Sequence, residues 1–312
     1  MDFVDLFSGP NSPANLAMAA VFVPITGDHS DHSMARARAM AAPQVPTGKA
    51  MAADFEVIRV LQKGKDSQPV AAQLCQLPPF QRLRQRILWW KRHAPSHISQ
   101  LILQGVQPSW DLPPVLSCQY QKKSPQELQK VSHILAQYQA AGAIKPVSAQ
   151  GTKHLIPWFV ISKQENDHIK DRLITDCREI NQWFPTTNFR LDHIHNILPF
   201  LRKGLWAAKV DLKDAYFHLA LAQKLRPYMR INVDSQIWEF QAACFGLASL
   251  PQLFMSLMKP LQKLWRTKGL QVFVYLDDII LIGSAPQQVS THLDLILQTL
   301  DQAGFLINQK KF

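Results

Sequence analysis

Residues 272–282 read Val-Phe-Val-Tyr-Leu-Asp-Asp-Ile-Ile-Leu-Ile, two short apolar runs closed on a pair of adjacent carboxylates. Continuous apolar runs of this length, rich in β-branched residues, predict buried strands over Val272–Leu276 and Ile279–Ile282, with Asp277 and Asp278 alone between them. Aspartate is a common turn residue, which accounts for one of the two. Two-residue hairpin loops favour glycine at the second place, and like charges side by side are costly unless a cation lies near. Turn chemistry and a bound divalent cation therefore both remain open from this segment alone.

A second segment favours the cation. Lys209-Val-Asp-Leu-Lys-Asp-Ala-Tyr-Phe217 ends a predicted strand, Trp206–Asp211, where a helix is expected to begin. If the two strands are neighbours, Asp211 and Asp277 share a site. Carboxylates suit hard cations such as Mg²⁺, which take few protein ligands and complete their shell with water or substrate phosphates. Two such ions about 3.5–4 Å apart would activate a 3′-hydroxyl and stabilise a leaving pyrophosphate. Carboxylates on two separate turns in a basic chain make phosphoryl transfer the leading reaction class. Asp214 is read differently, as an acid at a helix N-terminus, favourable with the macrodipole.

The 312-residue chain carries 34 Lys and Arg against 23 Asp and Glu, a formal charge of +11, which favours a polyanionic partner. Hydrophobic residues at 47% supply a sizeable core, and charged residues at 18% exclude a wholly disordered chain. Twelve glycines and 21 prolines exclude collagen and disfavour a long coiled coil. The four cysteines lie far apart with no CxxC pair, suggesting neither a zinc site nor a disulfide framework. Reduced thiols, no apolar run of about 20 residues and no basic leader together predict an intracellular protein, cytoplasmic or nuclear, with no membrane partner.

Residues 1–76 are rich in Ala and Pro, lack periodicity and read as mostly disordered, with a short helix near Phe55–Leu61 and a solvated His29–His32 pair. Phe80, Leu83, Ile87 and Trp90 recur at helical spacing among Arg82, Arg84, Arg86, Lys91 and Arg92. Pro95 stops that helix, and Ser96 is placed to cap the next, which ends at Gly105. From Gln81 to Lys123 there are seven Lys and Arg and one acid, either a phosphate-contacting surface or a solvated helix face. Ser124-Pro-Gln-Glu127 is a capping box opening a helix to Gly142. Trp158–Ser162 and Arg172–Asp176 read as a hairpin around a polar turn (Gln164–His168), and Tyr228–Val233 and Gln236–Ala242 as another around Asp234-Ser235. Helices are expected over Ser249–Arg266 and Gln287–Ala303. The order is mixed α+β with antiparallel hairpins.

From about Gly142 to Phe312 the chain resembles the reverse transcriptases, the RNA-directed DNA polymerases of retroelements. Tyr275-Leu-Asp-Asp278 resembles their Y-x-D-D box and Asp211-x-x-x-Ala-Tyr216 their first catalytic motif. Arg172-Leu-Ile-Thr-Asp-Cys-Arg-Glu-Ile-Asn181 resembles the fingers strand, and Phe245-Gly-Leu-Ala-Ser-Leu-Pro251 the F-G-L-x-x-x-P block. Ala303-Gly-Phe-Leu-Ile-Asn-Gln-Lys-Lys311 resembles the next motif. The upstream stretch from Arg82 to Gly105 is similar to the segment preceding the polymerase in DIRS-type retrotransposons, with a Gypsy-type element as the alternative.

The resemblance implies a fingers-and-palm fold: an antiparallel palm sheet with helices on one face, a fingers hairpin, and no thumb after Phe312. It divides the chain into residues 1–76, a basic helical lead-in at 77–141, and fingers and palm at 142–312. It implies RNA-directed DNA synthesis with two Mg²⁺ (or Mn²⁺) ions held by Asp211, Asp277 and Asp278, on an RNA template, a DNA primer and dNTPs. Lys163 and Arg172 would contact the triphosphate, with Lys170 a rival for Lys163. Tyr216 would exclude a 2′-hydroxyl or else serve as a core aromatic. Phe245 and Gly246 would line the nucleotide pocket, and Lys311, or equally Lys310, would sit near the leaving pyrophosphate. The alternative function is a catalytically inactive nucleic-acid-binding remnant. Oligomeric state is left open.

Overall fold

The computed structural model describes residues 77–165, 168–184, 197–200, 202 and 204–308, together with a two-residue strand, β1 (Val23–Pro24). The expectations for the rest of residues 1–76, including the Phe55–Leu61 helix and the His29–His32 pair, lie outside the described residues.

The carboxylate segment sits in a four-stranded antiparallel sheet ordered β1-β5-β9-β8, with β5 Trp206–Asp211, β8 Gln271–Tyr275 and β9 Asp278–Gly283. Alternation divides its residues between two faces. Ala208, Val210, Val272, Val274, Ile279 and Leu281 join the main core. Against that face lie the apolar stripes of α6 (Leu250–Thr267; Phe254, Leu257, Leu261, Trp265) and α7 (Pro286–Ala303; Val289, Leu293, Ile296, Leu300). The other face carries Lys209, Asp211 and Asp278, beside a small cluster of Ile197, Phe273, Ile280 and Ile282. The carboxylates and the packed helices thus occupy opposite faces of the sheet.

Two further antiparallel units flank it. A three-stranded sheet joins β2 (Ile144–Val147), β7 (Gln236–Phe240) and β6 (Arg230–Val233). The turn between β6 and β7 places Asp234 and Ser235 at φ 47° and 65°, as a two-residue primed turn requires. The hairpin of β3 (Trp158–Glu165) and β4 (His168–Thr175) is longer than the sequence suggested: the ladder continues to Glu165 opposite His168, with no five-residue polar loop. Helix α4 (Pro125–Ala140) opens on the expected capping box, Glu127 N–H donating to Ser124 Oγ at 3.2 Å and Ser124 N–H to Glu127 Oε2 at 3.1 Å. It packs on one face of the hairpin, where Lys130 Nζ donates to Ser162 Oγ at 2.8 Å, and the one-turn helix α5 (Arg178–Asn181) follows β4.

The basic helical run is broken where periodicity shows no break. It forms α1 (Pro79–Gln85) and α2 (Ile87–His93), parted at Arg86, and α3 (Ser96–Gln104) follows. Ser96 does not cap α3; Pro95 is the N-cap and no side chain caps the helix. Tertiary contacts override the local pattern here. Trp90 Nε1–H donates to Ala303 O at 2.9 Å and Arg82 Nε–H to Gly304 O at 3.3 Å, tying these helices to the end of α7. Gly304 ends α7 at φ 93°, with Phe305 N–H bonded back to Leu300 O at 2.8 Å.

Candidate active site

Asp211 is the last residue of β5 and lies in register with Asp278, the first of β9. Residues directly opposite in an antiparallel pair share a face, so register alone brings two carboxylates together. Leu212 N–H donates to Asp277 O at 3.0 Å, which fastens the β8–β9 turn to the end of β5. The turn itself falls one residue earlier than expected. Tyr275 pairs with Asp278, so Leu276 and Asp277 form it, and Leu276 stands at φ 53°. A side chain in the left-handed region costs about 1–2 kcal/mol, and glycine or asparagine would be the ordinary choice. Turn propensity alone would have moved the hairpin by one residue and turned Asp278 away from Asp211; the register with β5 prevails.

Each carboxylate is also held by a neighbour. Lys209 Nζ lies 3.0 Å from Asp278 Oδ1. Asp211 is 4% exposed, and its Oδ2 accepts from Asn308 Nδ2 at 2.7 Å. Asn308 N–H donates to Asp211 O at 2.9 Å and Lys213 N–H to Leu306 O at 2.9 Å, so residues 305–308 run beside the site. Among the described residues no three carboxylate, imidazole or thiol groups lie close enough to hold a metal ion. Asp211 and Asp278 in register, with Asp277 in the adjoining turn, supply oxygen ligands of the kind hard cations take.

No helix follows β5 directly. A turn through Asp214 at φ 50° leads into a short 3₁₀ helix, Ala215–His218. Burial raises the Asp214 carboxyl above the ordinary carboxylate range, with Lys213 and Lys170 opposing. Tyr216 is half-buried, edge-on to Phe245 at 5.1 Å and to Phe254 at 5.7 Å. Its phenol is pushed up to about 12 by burial, with the charge of Asp277 adding to the effect. Phe245 is 51% exposed at the mouth of this aromatic group. Gly246, expected to allow a close backbone approach, stands at φ 111°, and the approach is to β4: a Cβ there would run into the Thr175 carbonyl oxygen and lie 3.0 Å from Cys177 Sγ. The Thr175 hydroxyl donates to the Phe245 carbonyl, Asn181 Nδ2 donates to Gly246 O at 2.8 Å, and Ala248 N–H donates to Asn181 Oδ1 at 2.9 Å. The end of β4 and the Phe245–Ala248 loop are therefore clamped together.

Lys163, Lys170 and Arg172 share the face of the β3–β4 hairpin opposite α4, with Lys163 directly across from Lys170. Like charges so placed repel and would be relieved by an anion. Phe159 and Ile161, 43% and 47% exposed, lie on the same face. Lys170 acts on Asp214, so this cationic face approaches the turn after β5. Lys310 and Lys311 lie outside the described residues. Sequence reasoning assigned no role to Lys209, Asn308, Asn181 or Thr175. Lys209 had a readable signal, since it stands two places before Asp211 and so on the same strand face.

This arrangement defines a mixed helix and antiparallel-sheet protein with carboxylates at a strand junction and a cationic hairpin beside it. The family pattern described as reverse transcriptase (RNA-dependent DNA polymerase) matches residues 155–312, half the chain, and the chain belongs to that family. It is 22% identical over 169 residues to the enzymatic polyprotein of Cauliflower mosaic virus (strain NY8153), covering 54% of this chain and 24% of the polyprotein. It is 24% identical over 178 residues to polyprotein P3 of Commelina yellow mottle virus, covering 54% and 9%. It is 27% identical over 159 residues to the retrovirus-related Pol polyprotein from transposon gypsy of Drosophila melanogaster, covering 50% and 15%. The chain thus spans a quarter or less of the length of these relatives.

Proposed function

We propose that this chain is the fingers-and-palm portion of a retroelement RNA-directed DNA polymerase, extending a DNA primer on an RNA template by nucleotidyl transfer. The observation that carries the reading is the register of Asp211 with Asp278, joined by the Leu212–Asp277 backbone bond, in a chain of this family. In this reading residues 142–312 form fingers and palm, the β3–β4 hairpin being the fingers strand pair, and residues 77–141 lead into them.

Asp211, Asp277 and Asp278 would hold two Mg²⁺ or Mn²⁺ ions. When bound, such ions ease deprotonation of a primer 3′-hydroxyl and neutralise a leaving pyrophosphate. The remaining work belongs to side chains. Lys209 holds the Asp278 carboxylate beside Asp211. Arg172 binds the triphosphate as a fork, together with Lys163 across the hairpin, or its rival Lys170 on the same strand as Arg172, as a point charge. The Tyr216 ring, backed by Phe245 and Phe254, excludes a 2′-hydroxyl. Gly246 lets the loop beneath Phe245 seat against β4. Lys311, or Lys310, stands near the leaving group.

The test is primer extension on homopolymer RNA with Mg²⁺ or Mn²⁺, comparing wild type with Asp277→Asn. The expected result is template-dependent extension by the wild type, loss of at least 10²-fold in the variant, and unchanged RNA binding in both, since binding rests on Lys and Arg. Equal extension by both proteins would refute the assignment of the carboxylates. Binding with no extension by wild type would instead assign an inactive nucleic-acid-binding remnant.

A further inference from the structure

On the helix side of the sheet, away from the carboxylates, a cleft of about 600 Å³ lies between the α2–α3 junction and α6. Arg92, His93, His97, Lys259 and Lys263 line it together with Ser256; the other lining residues are apolar and none is acidic. Lys259 and Lys263, one turn apart, with Ser256 at the preceding turn, form a polar stripe on α6. The opposite stripe of that helix is buried against the sheet. His93 is held by its ring, stacked on Trp89 at 4.5 Å with Nδ1 2.9 Å from Trp89 O. Helix α3 opens here on Pro95 without a side-chain cap, so its positive end adds to the field. Pro260, inside α6, lines the same cleft and has no N–H to give.

Arg92, Lys259 and Lys263, joined by His93 and His97, converge from three helices, and no acid among the lining residues offsets the repulsion of the three permanent charges. Such a cluster is stable when an anion enters it. The cleft is concave, which suits a projecting phosphodiester better than the plane of a bilayer, where a flat basic face with apolar anchors would be expected. We propose that this cleft is a second nucleic-acid site, gripping the phosphate backbone of a strand on the side of the sheet opposite Asp211, without reading bases. It does not depend on the polymerase reading, because it requires no carboxylate, metal or nucleotide.

The experiment titrates the full chain with a fluorescent 12-nucleotide RNA, without metal or dNTP, between 50 and 200 mM salt. Three proteins are compared: wild type, Lys259→Gln/Lys263→Gln, and a control of equal charge, Lys224→Gln/Lys268→Gln, whose lysines are exposed and do not line the cleft. Loss of two phosphate contacts lowers the salt slope by about 1.4 for a single strand, so wild-type affinity should fall about 7-fold more than the cleft variant's over that range. The number of RNA equivalents bound at low salt should also drop by one in the cleft variant alone. Equal changes in the cleft and control variants, or none in either, would overturn the proposal. So would displacement of the RNA from wild type by polyglutamate at matched charge, which would make the cleft a docking site for an acidic protein. Failure of primer extension leaves these readouts untouched, so the two readings fail separately.

Discussion

His218 is a buried imidazole held from both sides. It is 2% exposed, its Nδ1 lies 3.0 Å from Ala215 O, and Leu306 N–H donates to its Nε2 at 3.0 Å. An Nε2 that accepts and an Nδ1 that donates define a neutral ring. Burial pulls its pKa from 6.5 down to about 3, outweighing the opposing bond to Ala215. The folded protein therefore stays unprotonated at this site at pH 4.5, while the unfolded chain takes up a proton below about 6.5. The unfolded state binds more protons, so stability falls as pH falls. The contribution is fully present above 6.5 and is lost progressively toward 3. At pH 4.5 the loss is RT ln(1 + 10²), about 2.7 kcal/mol, a large share of a typical domain's 5–15 kcal/mol. His218→Gln keeps an amide in the cavity and removes the titration. Urea unfolding followed by tryptophan fluorescence at pH 7.5 and 4.5 gives the drop for each protein. Other titrating groups act on both, so the difference between the two drops isolates His218. Wild type should lose about 2.7 kcal/mol more than the variant. Equal drops would refute the reasoning and mean that the ring is already reached by water or protonated in the fold.

Replacing Tyr216 by Val should allow an extending enzyme to insert ribonucleotides more readily, read as the ratio of rNTP to dNTP incorporation; an unchanged ratio assigns the ring to packing against Phe254 alone. Gly246→Ala forces a Cβ into the Thr175 carbonyl at an unfavourable φ, and should cost about 2–3 kcal/mol in urea unfolding and reduce nucleotide affinity. Ser235→Gly relieves a side chain at φ 65° in an exposed turn, and should raise stability by about 1 kcal/mol without altering RNA binding.

Where short-range chemistry decides, the sequence is a good guide. The Ser124–Glu127 box depends on neighbours within four residues and forms as read, and the apolar β8 and β9 runs, which depend on simple burial, form strands whose ends differ from the reading by one residue. The failures share a cause. The β8–β9 turn is displaced because pairing with β5, more than 60 residues away, outweighs the local preference for aspartate over leucine in a turn. The split at Arg86 carries no proline or glycine signal; it follows from docking Arg82 and Trp90 on α7. Asn308 looks like any polar residue after an apolar stretch, and its bonds to Asp211 exist only once the chain end has returned to β5. Of the groups that hold the carboxylates, Lys209 could be read from its place two residues before Asp211, whereas Asn308 could not, because its bond to Asp211 spans 97 residues.

The bonds from Arg82 and Trp90 to the end of α7 bridge 222 and 213 residues. On a ribosome adding about 5–20 residues per second, the partners of Trp90 emerge some 10–40 s after Trp90 itself. Through that interval Leu83 and Trp90, both buried in the finished core, lack the end of α7 against which they pack. Translation speed and chaperone supply thus bear on the yield of this protein, and a slow codon run ahead of residue 286 lengthens the exposure of its first helices.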